Sequence, residues 1–182
     1  FNPTLNIAAV TAAMSGSTYR CVIGGTCAPA AISNAGVLTV NTAPVITTQP
    51  VNQTVCENNV SASFSVVATG SGLNYQWQSS TALGPFTNLT NTGVYSDVNT
   101  NILRIGGGTI ALQGTVYRCI ITGSCGSPVT SGSASLTINT LPVVTQHPIS
   151  TTVCENGNTS FGVTATGSGL TYQWMVSVGG GT

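Results

Sequence analysis

The chain has 182 residues and carries almost no charge, because three Lys or Arg side chains are balanced by three Asp or Glu side chains. Its only cations are Arg20, Arg104 and Arg118. These are too few for the basic patch that nucleic-acid binding requires. Few side chains can carry protons near neutral pH, which argues against acid–base catalysis. The composition therefore favours a structural or binding protein over an enzyme.

Apolar content indicates that the chain folds. Hydrophobic residues make up 41% of the sequence, enough buried area to offset the loss of chain entropy. Thr, Val, Ile and Tyr are enriched where polar and apolar residues alternate, and no window shows an apolar stripe at helical spacing. No apolar run reaches the length of a membrane span, and the N-terminus lacks the layout of a signal peptide. We expect an all-β protein whose targeting or anchoring elements lie outside this segment.

The sequence repeats with a period near 98 residues. Four pairs have that spacing: Cys21 and Cys119, Cys27 and Cys125, Cys56 and Cys154, Pro44 and Pro142. Ten residues that end at Trp77 recur, with one change, in the ten that end at Trp174. The first string is Ala-Thr-Gly-Ser-Gly-Leu-Asn-Tyr-Gln-Trp. This period is too long for a solenoid unit and matches one β-sandwich domain.

Two short linkers divide the chain. Residues 41–44 and 139–142 each end in a proline that favours an extended backbone. This predicts the back half of one domain over residues 1–43, a complete domain over 44–141 and the front half of another over 142–182. Because the linkers are so short, we expect neighbouring domains to be stiffly coupled.

Within the complete repeat, turn signals separate short stretches of strand-forming residues. The predicted strands are 45–56, 61–69, 73–79, 84–89, 94–98, 101–106, 115–122 and 129–139. Strands of this length and spacing are typical of two packed sheets with Greek-key connections.

Aromatic landmarks narrow the fold. Trp77 lies on the third predicted strand, and Tyr117 follows about 40 residues later, two residues before Cys119. The pattern resembles the core tryptophan and the tyrosine corner of the immunoglobulin fold, with Trp174 and Tyr19 as the equivalent positions in the flanking repeats. The fold class is therefore predicted as all-β, with tandem immunoglobulin-like β-sandwich domains. In antibody domains the strand-F cysteine has a partner on the second strand, a position that Val66 occupies here.

Four segments strengthen the resemblance: Pro44-Val-Ile-Thr-Thr-Gln-Pro50, Thr54-Val-Cys-Glu57, Tyr75-Gln-Trp77 and Thr122-Gly-Ser-Cys-Gly126. They resemble the immunoglobulin-like repeats of very large cell-surface adhesins in gliding and related bacteria. The resemblance covers the whole chain. It implies export, often through type IX secretion, and a stalk or adhesin role on the cell surface.

In an exported chain the six cysteines are expected to form disulfides, each worth about 2–4 kcal/mol. The candidates are Cys21, Cys27, Cys56, Cys119, Cys125 and Cys154. Similar repeats suggest a bond between Cys56 and Cys125, although these positions lie at opposite ends of a standard sandwich and a disulfide needs Cα atoms within about 7 Å. Cys56 with Cys119, Cys119 with Cys125, and the Cys56 position of one repeat with the Cys125 position of the next remain open.

No metal or cofactor is expected. The cysteine pairs 21/27 and 119/125 are spaced too widely for a structural zinc site, and the single His147 supplies no second ligand pair. The few carboxylates are not clustered as calcium requires. His147 has no counterpart in the preceding repeat, which is unlike a catalytic residue and typical of a solvated strand edge.

The predicted function is a structural or adhesive repeat of a secreted bacterial surface protein that acts as a stalk or as a fibre-forming module. The alternative is a carbohydrate- or protein-binding module appended to a secreted enzyme, with Phe86 or Tyr95 as candidate glycan contacts. Expected partners are neighbouring repeats or other copies of the chain, together with surface glycans or other cells. Residues 142–182 of one copy are expected to complete residues 1–43 of the next.

Overall fold

The computed structural model describes residues 2–81 and 84–178, and the described chain is built from short β-strands. In chain order the strands are β1 (Thr18–Tyr19), β2 (Val22–Ile23), β3 (Ala31–Ile32), β4 (Gly36–Val37), β5 (Val45–Thr48), β6 (Gln53–Cys56), β7 (Val60–Ser65), β8 (Val67–Thr69), β9 (Asn74–Ser80), β10 (Thr87–Asn88), β11 (Tyr95–Ser96), β12 (Ile102–Gly108), β13 (Val116–Thr122), β14 (Val129–Thr130), β15 (Ala134–Asn139), β16 (Val143–Gln146) and β17 (Thr164–Thr166). Single 3₁₀ turns cover Ala12–Met14, Glu57–Asn59 and Ile110–Leu112.

Strands β5 to β15, which we call the complete repeat, form a two-layer sandwich. One sheet has the strand order β10-β9-β13-β15-β6, with β14 also paired to β13, and the other has the order β11-β12-β7. Strict alternation on β7 buries Val60, Ala62 and Phe64 and leaves the intervening serines exposed. This period of two places one face of the strand in the core and the other in water.

The first predicted strand, 45–56, is two strands in different sheets, and this corrects the prediction of a single strand. β5 pairs with β8, whereas β6 runs parallel to β15. Between them Pro50 is buried, and proline cannot donate to a sheet ladder. Gln49 and Asn52 anchor the crossover, because their side-chain carbonyls accept hydrogen bonds of 2.8 Å from the backbone N–H groups of Gly132 and Ser135.

Other predicted strands are broken or shortened. The predicted strand 61–69 is interrupted at Val66, whose N–H donates to the carbonyl of Asn101 instead of to a ladder partner. Residues 129–139 form β14 and β15 with a gap between them. The predicted strands 84–89 and 94–98 are reduced to two paired residues each, β10 and β11. The alternation of polar and apolar residues predicted that these segments are extended. It did not show how many of their residues pair with a neighbouring strand.

A single core fills the sandwich. Its buried members are Val60, Ala62, Phe64, Val66, Trp77, Leu89, Val98, Leu103, Ile105, Tyr117, Cys119, Ile121, Ala134, Leu136 and Ile138. All of these residues belong to the segment 44–141. At the centre the indole N–H of Trp77 donates to the carbonyl of Thr100 at 2.9 Å, and the rings of Phe64 and Tyr117 lie 4.8 Å apart.

The flanking segments repeat pieces of this sandwich in the same register. Thr18 pairs with Val37 as Val116 pairs with Ser135, 98 positions later. On the other side, β16 pairs with β17 through the same shifted register that joins β5 to β8. The repeat in the sequence is therefore also a repeat in backbone hydrogen bonding.

Candidate functional site: the junctions between repeats

Short linkers enter and leave the complete repeat, and both are held by the same hydrogen bonds. At the first junction the N–H of Thr42 donates to Ser71 Oγ, and the N–H of Ser71 donates back to the carbonyl of Thr42, both at 3.0 Å. At the second junction Thr140 and Ser168 make the same pair of bonds, at 3.0 and 3.1 Å. Each linker is thereby tied to a turn in the repeat that it enters, the turn after β8 at the first junction and the turn after β17 at the second.

A glycine at each junction allows this close approach. Gly70 has φ +144°, and a methyl group on it would lie 2.9 Å from the carbonyl oxygen of Ala43 and 3.0 Å from Pro44 Cα. Gly167 has the same φ, and its added methyl would meet Leu141 and Pro142 at the same two distances. Only glycine fits a backbone with positive φ and no room for a side chain.

The β13–β14 turn (residues 123–128) packs against the linker that enters the repeat. A methyl group on Gly126, which has φ +78°, would lie 2.5 Å from the side chain of Ala43, and one on Gly123 would lie 3.1 Å from the Pro44 ring. The N–H of Ser124 donates to the carbonyl of Ser71 at 2.7 Å. This turn and the linker therefore form one packed unit at the N-terminal end of the sandwich.

Glu57 holds the linker that leaves the repeat. Its carboxylate Oε1 accepts a hydrogen bond of 2.7 Å from the N–H of Leu141. Because an ionised acceptor strengthens such a bond, Glu57 fixes the linker to the C-terminal end of the sandwich. The linker 140–142 is thus hydrogen-bonded to the repeat before it, through Glu57, and to the segment after it, through Ser168.

The cysteines divide into two groups by exposure. Cys56 and Cys154, which occupy equivalent positions, are exposed, and so is Cys27, whereas its counterpart Cys125 is partly exposed. No two of the six cysteines are bonded to each other within this chain.

Cys119 belongs to the core. It is 0% exposed, and burial raises its thiol pKa to about 11. Its N–H donates to the side chain of Ser131, at Oγ and 2.8 Å, and not to a backbone carbonyl of β14. The segment around Cys21 repeats that bond with Ser33 at 2.9 Å, although Cys21 itself is exposed. Burial disfavours the reactive thiolate at Cys119.

The aromatic landmarks lie in two different environments. Trp77 and Tyr117 are both fully buried, and burial, reinforced by the nearby Tyr95 hydroxyl, raises the pKa of Tyr117 well above its ordinary value. Trp174 is 53% exposed and Tyr19 is half-buried. Within the described residues, no strand packs over Trp174 in the way that the core covers Trp77.

Neither of the two candidate glycan contacts presents a free ring. The guanidinium of Arg118 lies 3.8 Å from the centre of the Phe86 ring, and Arg118 also donates to Gln78 at 2.8 Å. Tyr95 packs against the core, with its ring 6.2 Å from that of Tyr117. Arg118 therefore covers one face of the Phe86 ring.

Titratable side chains are dispersed over the described part of the chain. Across residues 2–81 and 84–178, no three His, Cys, Asp or Glu side chains come together as metal ligands would. His147 is exposed just after β16, and Asp97 is occupied by an exposed ion pair with Arg104 at 2.9 Å. The helical turns within those same residues are all too short to cross a membrane.

The residues that fix the junctions were not predicted from the sequence. Ser71 and Ser168 stand inside the repeated string Ala-Thr-Gly-Ser-Gly-Leu, so a signal was present, but it indicated a turn and gave no information about what the turn contacts. Glu57 also recurs, as Glu155. Its role requires knowing that β6 ends beside β15, and a parallel pairing between distant strands leaves no local pattern.

No protein-family model matches this sequence, and no curated protein matches it. Among solved structures, the chain is similar to the extracellular domains 3–5 of Drosophila OTK, with 19% identity, a TM-score of 0.53, and coverage of 89% of this chain and 52% of that one. It is similar to the immunoglobulin domains 1–5 of Sidekick-1, with 22% identity, a TM-score of 0.51, and coverage of 88% and 35%. The chain thus spans about half the length of the first structure and about a third of the second. Together with the sheet topology, these similarities show that the chain is an all-β protein of tandem immunoglobulin-like β-sandwich repeats.

Proposed function

We propose that this chain is a structural and adhesive repeat segment of a secreted bacterial cell-surface protein, and that its repeats, 1–43, 44–141 and 142–182, act as a stiff stalk or fibre. Residues 179–182 lie outside the described residues. The observation that carries the proposal is the linker 140–142, which is hydrogen-bonded to Glu57 on one side and to Ser168 on the other. A linker held from both sides transmits orientation and force from one repeat to the next.

The low surface charge supports a role as a spacer that associates with neighbouring repeats and other copies. The chain has a formal net charge of zero at pH 7, so little electrostatic repulsion opposes contact between copies. In the described residues the side chains that could perform proton transfer are scattered and mostly exposed. The contacts that recur from one repeat to the next lie at the junctions. A non-catalytic spacer that contacts neighbouring repeats and other copies fits both features. The bacterial surface location rests on the sequence resemblance described above.

The stiffness can be tested by small-angle X-ray scattering on the full chain and on its Glu57→Ala and Ser168→Ala variants. We expect the maximum dimension of the wild-type chain to be narrowly distributed and that of either variant to broaden, because one side of the linker is released. Ser63→Ala, on the exposed face of β7, is the matched control and should leave the distribution unchanged. Equal distributions in all four proteins would contradict a stiff junction.

The location and the rival role need a second experiment. Protease treatment of intact source cells should digest the protein if it lies on the surface, and a protein protected until the cells are lysed would contradict the proposal. A glycan array with the full chain tests the alternative of an enzyme-linked binding module. Binding that Phe86→Ala abolishes would favour that alternative.

A further inference from the structure

Cys56 and Cys125 lie at opposite ends of the complete repeat. Cys56 pairs with Asn139, the last residue of β15. Cys125 precedes Gly126, whose backbone abuts Ala43 at the other end. The register of β15 and β13 puts about ten residue steps between these ends, or roughly 30 Å at about 3.3 Å per residue. Since bridged Cα atoms lie within about 7 Å of each other, this fold does not allow the bond within one repeat.

Cys119 is no better placed as a partner. It pairs with Trp77 in the middle of β13 and points into the core. Along the strands it is roughly 20 Å from Cys56 and about 10 Å from the turn that carries Cys125. Its buried thiol is also protonated at neutral pH. The two alternatives that involve Cys119 therefore fail on distance as well as on reactivity.

Each end thiol lies next to a linker. Cys56 immediately precedes Glu57, which hydrogen-bonds the N–H of Leu141 on the linker that leaves the repeat. Cys125 immediately precedes Gly126, which contacts Ala43 on the linker that enters the repeat. Ala43 and Leu141 are equivalent positions, 98 residues apart.

Because the two junctions share their hydrogen bonds and glycine contacts, the arrangement at one can be transferred to the other. A following repeat with the same fold would place its residue equivalent to Gly126 against Leu141, just as Gly126 lies against Ala43. The cysteine equivalent to Cys125 precedes that residue and would therefore lie beside Leu141. Glu57 hydrogen-bonds Leu141 from the repeat before it. Each of the two cysteines is the chain neighbour of a residue that contacts Leu141, and consecutive Cα atoms are about 3.8 Å apart.

We propose that Cys56 forms a disulfide with the cysteine at the Cys125 position of the following repeat, and that Cys125 is bonded in the same way to the Cys56 position of the preceding repeat. Each junction is then crossed by one covalent bond in addition to the linker. Cys119 and its equivalents are the cysteines left over in each repeat, and they remain buried thiols.

The bond forms by thiol–disulfide exchange. The two thiols lose two protons and two electrons as the S–S bond forms, and an oxidant that carries a disulfide, such as oxidised glutathione or a protein oxidoreductase, is reduced to two thiols. In the cell the reaction needs an oxidising compartment, so the inference rests on the proposed location outside the cytoplasm.

The decisive test is disulfide mapping of the protein isolated from its source cells, with thiols alkylated at lysis. Trypsin cleaves this chain after Arg20, Arg104 and Arg118, and a protease specific for glutamate separates Cys56 from Cys125 by cleaving after Glu57. We expect the Cys56 peptide to be linked to a peptide from the following repeat, and Cys119 to be alkylated only after denaturation. A Cys56 peptide linked to Cys125 or Cys119 of its own repeat would overturn the proposal.

A two-repeat protein provides a matched test in vitro. The core of residues 44–141 uses only its own side chains, and two copies joined end to end recreate the linker because Leu141 is then followed by Pro44 in place of Pro142. In one variant the outer thiols, Cys125 of the first copy and Cys56 of the second, are changed to Ser. This leaves the inner thiols, Cys56 of the first copy and Cys125 of the second, together with the buried Cys119 of each copy. The control keeps only the outer two.

In a glutathione redox buffer the inner thiols should become fully protected from alkylation, whereas the outer thiols should stay fully reactive. Without these substitutions, the two-repeat protein should present two reactive thiols when native and two more, both Cys119, in denaturant. Reactive inner thiols in a folded protein, or the absence of any reactive thiol in the native unsubstituted protein, would refute the bond. Because this assay does not depend on location, its failure is distinct from the failure of the surface role.

Discussion

The complete repeat and the segments beside it share motifs and strand register, yet they bury those motifs very differently. Trp77 is 0% exposed, whereas Trp174, which ends an almost identical string of ten residues, is 53% exposed. Val60 and Phe64 are likewise buried, whereas Phe161 in the following segment is exposed. The comparison shows that the pairing of β16 with β17 repeats that of β5 with β8, whereas the strand around the tryptophan and its burial require strands that are distant in the sequence.

The largest effect expected from this comparison is at the two tryptophans. Trp77→Ala should lower the free energy of unfolding by about 3–5 kcal/mol, because it removes a large side chain from a closed core and the hydrogen bond to Thr100. Trp174→Ala should change it by less than about 0.5 kcal/mol, as expected for an exposed position. Urea denaturation of the full chain, followed by far-ultraviolet circular dichroism, measures both. Equal losses would show that Trp174 is packed in solution.

The second expected effect is a pH dependence that belongs to the complete repeat. Burial raises the pKa of the Cys119 thiol to about 11, so the folded state holds its proton at a pH where the unfolded state has released it. The stabilisation is present below pH 9 and is lost as the pH rises towards 11, by about 2–3 kcal/mol in total.

Urea titrations of the reduced chain at pH 8, 9, 10 and 11 test this loss, with Cys119→Ala as the comparison. The variant is less stable at pH 8, but its stability should fall less between pH 9 and 11. Cys21→Ala is the control, because Cys21 is exposed and should leave the pH profile of the wild-type chain intact. Parallel profiles for the wild-type and Cys119→Ala chains would contradict the prediction.

Much of the fold follows from the sequence, and the parts that do not have a common cause. The 98-residue period, the alternation on β7 and the spacing of Trp77 and Tyr117 indicate the sandwich because each is a local or repeated signal. The crossover at Pro50 and the parallel pairing of β6 with β15 are set by contacts between residues about 83 positions apart, such as Gln49 with Gly132. Side chains that bond across such distances leave no periodic trace.

The junctions were visible in the sequence only as linkers. Proline and the short linker length indicated stiff coupling, but the residues that hold the linker, Ser71, Ser168 and Glu57, were not predicted. The cysteine pairing remained open for the same reason. The distance between Cys56 and Cys125 depends on which ends of the strands meet, and no sequence spacing provides that information.

The third prediction uses a feature that is equally well formed in both regions, the junction glycine. Gly70→Ala should destabilise the complete repeat by about 1–3 kcal/mol, because φ is +144° and the added methyl meets Ala43 and Pro44. Gly167→Ala imposes the same local strain outside the complete core, so unfolding of the core should be unchanged. Gly106→Ala, where the added methyl meets nothing within 4 Å, is the control. All three are compared by urea denaturation, and similar losses at Gly70 and Gly106 would contradict a special junction backbone.

The smallest expected effect concerns charge, because an exposed ion pair contributes little to the stability of the complete repeat. The Arg104–Asp97 ion pair joins side chains that are 61% and 46% exposed, and water screens such pairs to below about 1 kcal/mol. Asp97 also has φ +61°, a conformation that costs Ala more than it costs Asn. Asp97→Asn should therefore cost less than about 0.5 kcal/mol, although it removes the charge, whereas Asp97→Ala should cost about 1 kcal/mol. Urea denaturation at low and at high salt separates the two causes, because only a loss of charge pairing shrinks when salt is added. If the two variants were equally destabilised, and both losses vanished at high salt, the ion pair rather than the backbone would be responsible for the effect.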